Sequence, residues 1–522
     1  MLLLNSRTGQ IFAAGLCVFG LVFLLGCPGK TKPVPPTAGP KKPPQFDSWE
    51  NPTAVLVLTG DQHGYLEPCG CSDKQAGGLA RRADLFRYLR EDKGWNVVGL
   101  DNGGFLRTDR VTREQSQVKL DFILSGLNEI GYRAAGTGYE ELKYGSTNLY
   151  ETYANEVVDD GFDMPFVSAN VTLFGARVDG IPPQEFRIIE AGSLKVGVTS
   201  VITDTVRKEL DIEGITRDES EVKIDPASDV LAGVIQNMQD AGAELLVLLS
   251  HGPIEDSKAL AEAFPQFQIV VTARSVEDPR NETTMVGNTL FCEVGQKGKN
   301  AGVVGVFKSD TGISVKYQLI EIEQEYFANH PSMTTLMQGY QDALTERKGS
   351  ILASSISDPE AGSFVGVDEC KKCHTKAYAV WAKTGHARAY ESLLKGRENF
   401  DGKWVPRPND PECLNCHTVG WDAQEALRYA SGFVDMESTP HLAGQQCENC
   451  HGPGSKHVAA EQAVKMGASL SDEIAALRTQ MKLNKQTAEK LVCARCHDYE
   501  NSPHFNFDQY WGKINHSGVG KN

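Results

Sequence analysis

Cys447-Glu-Asn-Cys450-His451 is the stretch that decides how this chain is read. Its pattern recurs as Cys370-Lys-Lys-Cys373-His374, Cys413-Leu-Asn-Cys416-His417 and Cys493-Ala-Arg-Cys496-His497. With 13 cysteines and 12 histidines in 522 residues, chance would supply on the order of 0.01 such matches. Four matches crowded towards one end of the chain are therefore a built feature. Two thiols three residues apart on a short helical turn reach the two vinyl groups of one haem and form thioethers. The adjoining His then comes beneath the iron as proximal ligand. Zinc is the competing reading of a Cys-x-x-Cys pair, but it does not require a His directly after every second Cys. The spacing predicts four haem c groups, with His374, His417, His451 and His497 as proximal ligands.

His386, His441, His457, His504 and His516 are the remaining histidines of this region. A surface His is usually just solvated, so they cannot all be ligands. The segments from Val365 through Cys370 to His386, from Gln446 to His457 and from Asn501 to His516 resemble the tetrahaem cytochromes of the cytochrome c-554 family. The resemblance covers residues 363–520. It implies that His386, His457 and His516 are distal ligands, each to a haem other than its sequence neighbour. It further implies that one iron is five-coordinate, with His441, His504 or a thioether of Met436, Met466 or Met481 as the competing sixth ligand. About 40 residues per haem are too few for a conventional side-chain core, so the macrocycles must supply much of it. Haems packed so densely lie close together, the physical basis for electron hopping.

The N-terminus places all of this outside the cytoplasm. Arg7 precedes an apolar run, Ile11 to Leu25, that is too short for a comfortable membrane span. It ends in Leu24-Leu25-Gly26-Cys27, which resembles a bacterial lipobox and implies cleavage before Cys27 and acylation of its thiol. An uncleaved anchor is the alternative. Residues 1–27 are thus expected as a lipoprotein signal peptide. Residues 28–50 follow as a linker in which Pro33, Pro35, Pro36, Pro40 and Pro43 favour a stiff, extended spacer.

Residues 51–325 alternate apolar strand-like runs with amphipathic segments. Ala54 to Leu58, Asn96 to Leu100, Glu244 to Leu249 and Gln268 to Val271 read as strands, and Leu79 to Leu89 and Val118 to Ile130 as helices. Hairpins are expected between Thr284 and Ile322. Such alternation predicts an α/β layered domain. The loops Thr59-Gly-Asp61-Gln-His63, Leu100-Asp101-Asn-Gly-Gly104, Gly138-Tyr139-Glu140-Glu141 and Leu249-Ser250-His251-Gly252 resemble, in order, those of the calcineurin-like metallophosphoesterase domain of the 5′-nucleotidase family. In that family two metal ions clamp a phosphate ester and activate a water.

Here most of the implied ligands are gone. Asp61, His63 and His251 match, but the bridging Asp falls on Gly104. The Asn-His-Glu motif has become Tyr139-Glu140-Glu141, and the closing Gly-His-x-His lands on Thr272-Ala273-Arg274-Ser275. Phosphatase activity is not expected. Cys69 and Cys71 follow directly on the first loop. They are read either as a local disulfide or inert thiols, or as soft ligands joining Asp61, His63 and His251 around one divalent metal. Cys292, inside an apolar strand, reads as a small buried hydrophobe. Residues 326–362 form a helical connector with a Met333, Leu336 and Leu344 stripe.

The chain is too long for one core, and a hydrophobic content of 40% fits a globular protein. A net charge of −16 with no Lys/Arg-rich block argues against nucleic acid as a partner. The expected architecture is a metallophosphoesterase-like α/β layered domain followed, at 363–522, by a mainly α-helical, haem-packed domain. The expected role is electron transfer between redox proteins of the cell envelope, with the chain lipid-anchored and facing the periplasm or cell exterior. Two alternatives stand beside it: an oxidoreductase acting on a small nitrogen or sulfur oxide at an open haem, and a binding module built on the degenerate domain.

Overall fold

The computed structural model describes residues 46–68, 75–158, 162–177, 183–397, 400 and 403–516. The signal peptide, Cys27, nearly all of the Pro-rich linker, Cys69 and Cys71 lie outside these residues. Among the described residues no helix is long and apolar enough to cross a membrane.

Strands β1 (Ala54–Thr59), β2 (Val97–Asp101), β3 (Tyr132–Gly136) and β4 (Phe166–Val167) are joined by helical crossovers and pair in parallel. They are followed by β5 (Val171–Leu173), β6 (Arg187–Ala191), β7 (Leu194–Ile202), β8 (Val222–Ile224), β9 (Leu245–His251) and β10 (Ile269–Thr272). The hairpins β11 (Thr284–Val286) with β12 (Thr289–Glu293), and β13 (Asn300–Ser309) with β14 (Gly312–Glu321), complete the set. Two six-stranded sheets result, ordered β14-β13-β1-β2-β3-β4 and β11-β12-β10-β9-β7-β6.

The two-residue period of a strand sorts its side chains between layers. Ala54, Leu56 and Leu58 of β1 join Val196, Val247 and Val271 in the core between the sheets, where Cys292 is also fully buried. Val55 and Val57 face the other way, onto α1 (Leu79–Arg87), α2 (Arg113–Ile130) and the helix Pro331–Glu346. The helices Ala227–Asp240 and Ile254–Ala263 cover the outer face of the second sheet. The order is helix, sheet, sheet, helix, the layered α/β body expected.

Two boundaries differ from the pattern reading. α2 starts at Arg113 rather than Val118, because Thr112 caps it by accepting from the Gln115 N–H at 3.2 Å. The connector helix starts at Pro331, a residue suited to a first helical turn, and buries Met333 and Leu344. From the connector, Ser355–Ile356 pairs with Leu427–Tyr429, which pairs with Trp421–Asp422.

The C-terminal body is made of short helices. Tyr390, Leu393, Leu414, Val419, Trp421, Phe433 and Leu442 form its small apolar cluster. Beyond Leu442, the buried side chains among the described residues are Gln446, Glu448, Ile474 and Ala488. That is far too little side-chain core for a region of this length.

Candidate functional site

Each Cys-x-x-Cys-His motif folds as a tight turn. The His374 N–H donates to the Cys370 carbonyl at 2.9 Å, and the His497 N–H to that of Cys493 at 2.8 Å. The second motif lies in the helix Pro411–His417, capped by Asp410, and the third in Cys447–His451. One turn of helix brings each His onto the side of its own thiols.

Three proximal histidines face a second imidazole. Ring centroids are 6.3 Å apart for His374 and His457, 6.0 Å for His386 and His497, and 6.0 Å for His451 and His516. An iron held between two imidazoles, with metal–nitrogen bonds of about 2.0–2.1 Å, needs ring centres about 6 Å apart. The residues therefore fit the expected group, and every pair joins a motif to a His from elsewhere in the chain. The other ring nitrogen is held in several cases, which fixes tautomer and orientation. His417 Nδ1 meets the Ala389 carbonyl at 2.6 Å, His451 Nδ1 that of Met481 at 2.8 Å, and His497 Nδ1 the Ser502 hydroxyl at 3.0 Å. Burial lowers the pKa of His374, His386 and His451, and that of His497 to about 4. The neutral imidazole, the ligating form, prevails at neutral pH.

His441 and His504 are exposed, as are Met436 and Met466. Met481 takes part through its carbonyl, on His451.

The motifs are stitched in pairs. The Glu448 carboxylate, in the third, accepts from the N–H groups of Gly366 and Gly454 at 2.7 Å each and of Val365 at 3.0 Å. Cys370 and Cys447 touch through their side chains, as do Cys416 and Cys496. Gln445 Nε2 donates to the Cys416 carbonyl at 3.0 Å and lies 3.9 Å from Cys496 Sγ. The first motif thus adjoins the third, and the second adjoins the fourth.

The cleft of the layered body gathers Asp61, His63, Glu140 and His251. Asp61 and His63 have φ of 48° and 46°, and pair through backbone with the Gly103-Gly104 turn, whose glycines have φ of 79° and 77°. A Cβ on Gly104 would lie 2.7 Å from Asp61 Oδ1, so the place of the bridging Asp is filled by the Asp61 loop. Glu141 is a structural staple, accepting from the N–H groups of Gly104, Phe105, Leu106 and Gly138 at 2.7–3.2 Å.

Both ring nitrogens of His251 are engaged: Nε2 accepts from the Tyr139 N–H at 3.0 Å, and Nδ1 lies 3.3 Å from the Asn102 carbonyl. Asp61 Oδ2 accepts from the Arg274 N–H at 2.5 Å. Glu140, not singled out as a ligand from the sequence, reaches His251 at 3.8 Å and His63 at 4.0 Å. Burial raises Asp61 to about 7, and burial with the charges of Glu141 and Asp61 raises Glu140 to about 8. Burial, reinforced by Lys297 and Arg107, lowers His63 to about 4. Among the described residues no three His, Cys, Asp or Glu side chains converge as metal ligands. The mononuclear site expected of Asp61, His63, Cys69, Cys71 and His251 has two of its donors, Cys69 and Cys71, outside the described residues.

Residues 369–452 match the family described as cytochrome c554 and c-prime. Cytochrome c-554 of Nitrosomonas europaea is 28% identical over 159 residues, which is 29% of this chain and 65% of that relative. The C-terminal region is cytochrome c-554-like. The chain spans less than two thirds of that curated relative's length. The reduced cytochrome c554 structure from Nitrosomonas europaea aligns over 31% of this chain and 90% of its own, at 22% identity and a TM-score of 0.22. The 5′-nucleotidase precursor of Thermus thermophilus aligns over 58% of this chain and 60% of its own, at 17% identity and a TM-score of 0.46. The matched residues 369–452 hold His374, His386 and His451, one member of each imidazole pair.

Proposed function

We propose that this chain is an exported electron-transfer lipoprotein of the cell envelope that binds four c-type haems covalently and passes single electrons between redox proteins. The observation that carries this reading is the set of three imidazole pairs, each centred on a Cys-x-x-Cys-His motif at the separation one iron requires. The cytochrome c family match supports covalent haem c, redox partners and a place outside the cytoplasm.

Thioether attachment falls to Cys370 and Cys373, Cys413 and Cys416, Cys447 and Cys450, and Cys493 and Cys496. His374, His417, His451 and His497 are the proximal ligands; His457, His516 and His386 are the distal ligands facing the first, third and fourth of them. When bound, haem supplies reversible one-electron chemistry. The protein's part is to fix the rings through Ala389, Met481 and Ser502, and to keep the imidazoles neutral by burial. The scarcity of buried side chains beyond Leu442 supports a core completed by the macrocycles. Anchoring through Cys27 rests on the lipobox-like sequence, and the layered body of residues 51–325 serves as a non-catalytic partner to the haem module.

Alkaline pyridine spectra and the intact mass of the purified protein test this reading. Four thioether-linked haems per chain are expected. Fewer than four, or zinc in place of iron, would overturn it.

A further inference from the structure

The turn after the fourth motif leaves its own body and seats in the mouth of the layered body's cleft. Tyr65 donates to Glu500 Oε2 at 2.8 Å and Arg107 Nη2 to the same oxygen at 3.3 Å, while Lys297 pairs with Oε1. Gln75 Nε2 donates to the Glu500 backbone carbonyl at 2.8 Å. Two residues earlier in the chain, Asp498 pairs with Arg110. Arg110 also donates to Gln424 Oε1 at 2.8 Å, and Gln424 Nε2 donates to the Arg495 carbonyl, inside the motif, at 2.7 Å.

These are not free surface pairs. Arg107 and Arg110 are 17% exposed and Lys297 is 14% exposed. Isolated exposed pairs contribute little, whereas a shielded network with several shared partners holds one geometry. Arg110 also has a φ of 54°, a left-handed conformation that a residue with a side chain keeps only when its surroundings require it.

The other side of the turn reaches the iron ligand. Asn501 donates from its N–H to Asp498 Oδ1 at 2.7 Å, and the Ser502 N–H to the Asp498 carbonyl at 2.9 Å. Ser502 Oγ in turn meets His497 Nδ1 at 3.0 Å. An unbroken series of contacts therefore runs from Arg110, through Asp498 and Ser502, to the imidazole of His497, while Arg107 and Lys297 hold Glu500 of the same turn.

We propose that the rim of the layered body's cleft, formed by Tyr65, Arg107, Arg110 and Lys297, is a dock for the turn 498–502 that fixes the orientation and electrostatic surroundings of His497. This gives the layered body a role in the redox module: its mouth holds a loop of the module instead of admitting a substrate. Arg107, Arg110 and Lys297 are positioning residues, acting on the ligand through the turn. Hydrogen bonding and nearby charge at an axial His are levers on haem potential. The inference rests on the electron-transfer reading, since His497 matters only if its motif carries haem.

The test uses the full-length, haem-loaded protein with Arg110→Gln, Glu500→Gln, Lys297→Arg and, as a remote control, Lys308→Gln. Pyridine spectra first count the haems. A wild type without haem overturns the electron-transfer reading itself, while four haems leave the dock alone under test. Redox titration and low-temperature EPR are then compared across the set. Expected is a shift in one of the four midpoint potentials and in one low-spin component, the component that His386→Ala removes. Glu500→Gln keeps the shape of the side chain, so the fold is retained while the ion pairs are lost. Lys297→Arg and Lys308→Gln should match wild type. Four unchanged potentials in both Arg110→Gln and Glu500→Gln, or four that move together, would overturn the dock.

Discussion

His386, from the segment after the first motif, faces His497 of the last motif with ring centroids 6.0 Å apart. In the proposed reading, the axial ligands of the haem on the fourth motif come from the two ends of the module. His386→Ala should convert one of four haems from low to high spin and leave all four attached, since the thioethers are untouched. Low-temperature EPR and the optical charge-transfer region check this. Conversion of no haem, or of two, would contradict the pairing.

The buried carboxyl of Glu140 predicts a pH dependence of stability. Its folded pKa, about 8, lies above the ordinary carboxylate value. Between those values the folded state holds a proton that the unfolded state has released, so this group's contribution to stability falls as pH rises from about 4.5 to about 8. Facing it are His63, His251, Asp61, Glu141 and Arg274, and Asp61 adds a slope of the same sign. Glu140→Gln stays neutral throughout. It should be more stable than wild type at pH 8 by about 1–3 kcal/mol and nearly equal to it at pH 5. Urea unfolding at the two values measures the difference.

Asn102 ties the two sheets together. Its Nδ2 donates to the carbonyls of Ser250 and Val271, at 3.0 Å each, across the ends of β9 and β10. Asn102→Leu leaves two buried carbonyls without those donors and should destabilise the layered body by about 2–4 kcal/mol. Thermal unfolding followed by far-ultraviolet circular dichroism would show it, while the haem absorption stays unchanged.

Cys27 is the proposed lipid anchor. Cys27→Ala should move the protein from the detergent phase to the aqueous phase in a cloud-point partition, with its haem content unchanged. Retention in the detergent phase would point to the uncleaved apolar segment as the anchor.

The motifs and strands were readable in the sequence for different reasons. A covalent cofactor imposes a fixed spacing on adjacent residues, so Cys447 to His451 announces its chemistry locally. β1 is buried along its whole length, which is why Ala54 to Leu58 is a continuous apolar run. The start of α2 was hidden because Gln115 and Ser116 are polar yet buried; Gln115 donates to Tyr340 at 2.9 Å and to Asp410 at 2.8 Å. The expectation of His386, His457 and His516 as distal ligands comes from family resemblance, since spacing cannot say which imidazole crosses to which motif. Arg107, Lys297 and Glu500 look like solvated charges in sequence, and only the fold brings them to one point. Glu140 sat within a quoted motif, but its place between His63 and His251 depends on the Gly138 turn.

A reductive titration of the purified full-length protein, followed optically at the haem bands, tests the central claim most directly. The account predicts that four electrons enter each chain reversibly and that the spectrum returns on reoxidation. Uptake of fewer than four electrons, or a spectrum indifferent to reductant, would contradict it.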